Sequence, residues 1–151
     1  MNKRIDKKIF ILIGICAVVV ACWIIAFYTW GEDLFRIKDY KSVYSITVNK
    51  FNENHELVDS WELTPKKRDE LIGFIQNHCY IGYIGDILYY QRENNDQYIV
   101  YINGYKGDGE YYVSITTCGN KWINVTTDDN SRHYKTGAKW YEELLQILEN
   151  N

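Results

Sequence analysis

Residues 9–30 (IFILIGICAVVVACWIIAFYTW) form a run of 22 positions without a charge, broken only by Gly14 and Thr29 and preceded by Lys3, Arg4, Lys7 and Lys8. As a helix rising about 1.5 Å per residue it reaches about 33 Å, which matches a hydrocarbon core of about 30 Å. Tyr28 and Trp30 fall at its outer end, where amphipathic rings settle at headgroup level. The pattern predicts a transmembrane signal anchor.

Beyond residue 40 the periodicity changes. In residues 42–51, Tyr44, Ile46 and Val48 alternate with Ser45, Thr47 and Asn49, the period of a half-buried strand. After a turn at residues 52–55, Leu57, Trp61 and Leu63 share a face and complete a hairpin. Thr64-Pro65 then reads as a helix start, a capping hydroxyl followed by a proline whose missing N–H costs nothing at the first helical position. Leu71, Ile72, Ile75 and Cys79 recur at helical spacing behind it. Residues 80–91 hold a strand interrupted by Gly82 and Gly85. Residues 97–105, 110–118 and 121–127 make a meander, with Gly119-Asn120 as a hairpin turn. A loop over residues 127–134 leads to a last helix from about Thr136, apolar at Trp140, Leu144, Ile147 and Leu148. The order ββαβββ(β)α defines an α+β domain, a small antiparallel sheet with two helices on one face. The chain divides into a basic N-terminus (1–8), the anchor (9–30), a charged connector (31–40) and the domain (41–151).

Charge sets the orientation. Residues 1–30 carry +3 and residues 31–151 carry −6, summing to the net −3 of the 151-residue chain. By the positive-inside rule the N-terminus is cytoplasmic and the domain lies outside the membrane. Two alternatives to an uncleaved anchor stay open. Val19-Val20-Ala21-Cys22 resembles the bacterial lipobox, which implies lipidation at Cys22, although bulky Trp23, Ile24 and Ile25 follow where that motif has a small, polar tether. A cleaved signal peptide has a shorter apolar stretch, about 7 to 15 residues. An acidic exported domain is a poor partner for nucleic acid, which requires Lys and Arg against its phosphates. Ile, Asn, Lys and Tyr supply 58 residues against 20 for Ala, Gly, Pro and Arg, a bias of AT-rich coding that suits a low-GC Gram-positive envelope.

Catalytic patterns are mostly missing. The sequence has no G-x-S-x-G, H-E-x-x-H, P-loop or C-x-x-C motif, so it suggests no catalytic set, no metal centre and no cofactor. His55, His78 and His133 stand apart at turns and helix ends. Lys66, Lys67 and Arg68 read as a solvated helix face, and Asp128-Asp129-Asn130 lacks the spacing of a calcium loop. Cys79 and Cys118 form a candidate disulfide if the domain is exported.

Tyrosine is the remaining signal. Eleven lie between residues 80 and 141, with Tyr89-Tyr90 and Tyr111-Tyr112 adjacent, so rings point to both faces of their strands. Those four are the candidate contacts for a partner, an envelope protein or a glycan, in addition to the bilayer around residues 9–30. The expectation is a single-pass membrane protein with a partner-binding domain, accessory or immunity-like in role, rather than an enzyme. The rival is an envelope enzyme built on carboxylates such as Asp86, Asp108 or Asp128.

Overall fold

The computed structural model describes residues 7–30, 42–83, 96–107, 109–127 and 130–149. The connector (31–40), Tyr89, Tyr90, Asp86, Asp108 and Asp128 lie outside the described residues.

Helix α1 (Lys7–Phe27) is 21 residues long, begins on two lysines and follows the apolar run from residue 9 to residue 27. The side chains of residues 9–24 are all exposed, Phe10 at 65% and Trp23 at 64%. Among the described residues no helix is long and apolar enough to cross a membrane.

The rest of the described chain is an α+β domain. Its strands are β1 (Tyr28–Trp30), β2 (Val43–Phe51), β3 (Leu57–Glu62), β4 (Cys79–Tyr83), β5 (Gln97–Lys106), β6 (Gly109–Cys118), β7 (Trp122–Thr127) and β8 (Asn130–Lys135). Two helices, α2 (Pro65–Gln76) and α3 (Ala138–Glu149), complete it. The eight strands form one sheet in the order β1-β4-β8-β7-β6-β5-β2-β3, and every neighbouring pair is antiparallel. Strands β5 to β8 are the expected meander with one strand more.

Two sequence expectations are corrected. The apolar run does not stay helical to Trp30: α1 stops at Phe27, and Tyr28 and Trp30 pair with Ile81 and Cys79 of β4. Tyr, Thr and Trp are strong strand formers, and the exposed backbone of β4 supplies the ladder. Residues 130–135 are strand, not loop. Tyr134 is their one buried side chain, so the polar positions on either side of it hid the alternation. The turn between β6 and β7 contains Gly119 at φ 64, a left-handed conformation that suits glycine, and Cys118 faces Trp122 across it.

The core lies on one side of the sheet. Ile46, Val48, Val100, Ile102, Val113, Ile115, Ile123 and Val125 point to this side and are at most 2% exposed. Against them pack Leu71, Ile72 and Ile75 of α2 and Trp140, Leu144, Ile147 and Leu148 of α3. The two helices also touch each other. Tyr80 meets Tyr134 and Trp140 edge-on, with ring centroids 6.2 and 6.1 Å away, and its hydroxyl donates to Ile75 O at 3.1 Å. Helix α2 starts as its sequence implies, with Thr64 Oγ1 accepting from Lys67 N at 3.4 Å and Pro65 at its first position. Trp61 Nε1 donates to Leu148 O at 3.2 Å and ties β3 to the end of α3. Strand β3 is an edge, with Leu57 and Val58 exposed beside Asp59.

Candidate functional site

With α2 and α3 on one side, the other side of the sheet carries no helix among the described residues and forms an open face. Pleating sends alternate residues there: Ser45, Thr47 and Asn49 from β2, Ile99, Tyr101, Asn103 and Tyr105 from β5, Tyr112, Ser114 and Thr116 from β6, and Trp122, Asn124 and Thr126 from β7. All are exposed or half-buried except Ser114, which is 7% exposed.

Four of its rings stand in two pairs. A register shift between Val43 and Ser45 adds one residue to β2, and the added Tyr44 turns outward. Its ring centroid lies 4.9 Å from that of Tyr105, and the two side chains are 44% and 55% exposed. Further along the face, Tyr101 and Tyr112 stand 5.9 Å apart and are half-buried. Burial raises the phenol pKa of Tyr112, so the ring carries no charge at neutral pH.

Small polar groups fill the spaces between rings and bond across strands. Asn103 Nδ2 donates to Ser45 Oγ at 3.2 Å, Ser60 Oγ to Asn49 Oδ1 at 2.7 Å, and Ser131 Oγ to Asn124 Oδ1 at 3.0 Å. Among the described residues, Glu110 is the one charged side chain that β2, β5, β6 and β7 turn to this face, and it lies at the start of β6. Lys135 of β8 lies beyond, with its Nζ 5.9 Å from the ring centre of Trp122. His133 is on the same face, half-buried, and burial lowers its pKa, which favours the uncharged imidazole. The face is sparsely charged, with Glu110, Glu62 and Lys135 at its margins, and is aromatic and rich in hydroxyl and amide groups.

The tyrosines singled out from sequence separate here. Tyr112 belongs to the open face. Tyr111, 9% exposed, turns to the helices and is a core residue, which corrects its assignment as a contact for a partner. The more exposed rings, Tyr44 and Tyr105, were missed; the parity that links Tyr101, Asn103, Tyr105 and Tyr112 through their ladder was the available signal.

Cys79 and Cys118 are free thiols, as are Cys16 and Cys22. The candidate disulfide is corrected, because β8 and β7 lie between β4 and β6. Three strand spacings set the two cysteines about 14 Å apart, twice the reach of a disulfide. Cys22 is exposed in the last third of the helical backbone of α1.

The other chemistry-bearing residues are internally occupied. Lys67 pairs with Glu70 at 3.2 Å and Arg68 with Asp69 at 3.1 Å, which uses two members of the basic trio on their own helix. His78 Nδ1 is 2.7 Å from Phe74 O, and His55, with φ 61, sits in a turn held by Asn52 Oδ1. Lys50 Nζ lies 3.0 Å from Asp96 Oδ2 and 3.3 Å from Glu149 Oε1, while the Tyr98 hydroxyl donates to the same Glu149 oxygen. That cluster clamps β2, β5 and α3 together. Among the described residues no group of three His, Cys, Asp or Glu is placed to hold a metal ion.

No protein-family model, curated protein or solved structure matches the chain. The class that can be stated is structural: an α+β domain with an open-faced, eight-stranded antiparallel sheet.

Proposed function

We propose that this is a single-pass membrane protein whose N-terminus is cytoplasmic and whose sheet domain stands outside the membrane and binds an envelope partner through its open face. The observation that carries the reading is α1, where the side chains of residues 9–22 are uncharged, mostly large and apolar, and exposed. At about 25 cal/mol per Å² of apolar surface, leaving such a helix in water is costly, and the bilayer is the solvent that removes the cost. The basic residues before it favour a cytoplasmic start. An accessory or immunity-like role suits a small, anchored domain with a sparsely charged recognition face.

The test is membrane integration of the full chain in bacterial cells. The protein should stay in the membrane fraction after alkaline carbonate extraction, and external protease should remove the domain from spheroplasts. Val19→Arg places a charge at mid-helix at a cost of roughly 2.5 to 3.5 kcal/mol and should shift the chain toward the soluble or aggregated fraction. Carbonate release of the unaltered chain, or protection of the domain from external protease, would refute the reading.

A further inference from the structure

We propose that the open face binds a neutral polysaccharide strand laid along β5, an inference that rests on the reading of the domain as an exported binding module. One quarter of the chain is charged, yet the four central strands turn a single charged side chain, Glu110, to this side among the described residues. Anionic polymers are held by Lys and Arg, and this face offers neither on those strands. Basic peptides need carboxylates in number and find two at the margins, Glu110 and Glu62, the latter opposite Thr47.

What the face does present is suited to sugars. The Tyr44 and Tyr105 rings are exposed at one end of β5, and the Tyr101 and Tyr112 rings stand further along it. Tyr101 and Tyr105 are four residues apart on one strand face, about 13 Å, so the rings form successive platforms for the C–H faces of a chain of pyranoses. Asn103 lies between them with Ser45 at 3.2 Å. An amide and a hydroxyl together donate and accept, which is what sugar hydroxyls require.

Other occupants fit less well. The buried centre of a protein interface is predominantly apolar, and here Ile99 is the one aliphatic side chain that these strands turn outward among the described residues. A second copy, face to face, would bury the same hydroxyl rows against themselves and desolvate them.

The experiment uses the full chain in detergent micelles with two neutral probes, the β-1,4-linked hexasaccharides of glucose and of N-acetylglucosamine, followed by calorimetry at low salt and at high salt. Saturable binding of at least one, unchanged by salt, is expected. Tyr105→Ala and Tyr101→Ala should each weaken it about tenfold or more, while Lys66→Ala should leave it unchanged. Tyr44→Ala, at an exposed site, should weaken binding without moving the unfolding midpoint, which separates a lost contact from a lost fold. Binding of neither probe overturns the inference, as does binding that salt abolishes or that the tyrosine variants do not affect. Carbonate release of the chain would instead defeat the membrane reading on which this one rests. Integration without sugar binding, together with tyrosine-dependent capture of an envelope protein, would retain the binding module and discard the glycan.

Discussion

Tyr111 lays its ring over the backbone of Gly104, its partner in the β5/β6 ladder: a methyl group built on Gly104 would come 2.6 Å from the ring Cζ and 2.7 Å from the hydroxyl. Both residues face the core, where the ring occupies the volume that a side chain at 104 would take. A strand glycine that admits a cross-strand aromatic is a packing device, not a weak point.

Gly104→Ala should therefore destabilise the domain by about 1 to 3 kcal/mol through overpacking. Tyr111→Leu should also destabilise it, but the double variant should be less affected than the sum of the two, since the smaller side chain relieves the clash. Urea unfolding followed by circular dichroism measures all three, and additive effects would show that the two residues do not share the space.

The Lys50 cluster makes stability fall at high pH. The Tyr98 hydroxyl, then Asp96 and Glu149, hold the Lys50 pKa above its ordinary value. Burial, reinforced by Glu149, pushes Tyr98 up to about 12. Both folded values lie above the unfolded ones, so the contribution is complete below about pH 10 and is lost as pH rises through the folded pKa values. Unfolding free energy should be level from pH 7 to 9 and decline above 10. Lys50→Met combined with Tyr98→Phe should make that decline shallower, and an unchanged slope would assign it to the other buried tyrosines.

Free thiols predict a labelling pattern. The unfolded chain should react at four cysteines and the native domain first at exposed Cys79. Cys118 should react more slowly, because burial raises its pKa and lowers the thiolate fraction. The gel mobility of the full chain should be the same with and without reductant, and a reductant-dependent shift in the monomer would restore the disulfide.

Trp61→Phe keeps a ring against the core but removes the donor to Leu148 O. A loss of about 0.5 to 1.5 kcal/mol is expected from that one hydrogen bond. Thr64→Ala, which removes the cap of α2, should cost about 1 kcal/mol, and the two losses should add because the sites share no partner.

The sequence carried the hairpin, both domain helices and the meander because each has a period that its burial enforces. Val48 and Ile46 alternate with polar residues, and Leu144 and Leu148 recur a helical turn apart. Strand β8 escaped because it buries Tyr134 and turns polar side chains elsewhere, and β1 escaped because its three residues continue an apolar run. The open face was half legible. Adjacent Tyr111 and Tyr112 must point apart, but which ring met the helices depended on the register with Gly104, and no local pattern encodes that. Tyr44 was harder still, since one extra residue in β2 reverses the direction that alternation assigns to it.

The exposed edge strand β3 has a consequence for crowding. A free strand edge with Leu57 and Val58 outward invites pairing with a neighbouring molecule. Acidic Asp59 and Glu62 and the register shift beside Phe51 oppose that approach. Molecules packed side by side on one surface would repel through this edge, so their recognition faces would stay separate and individually accessible at high density.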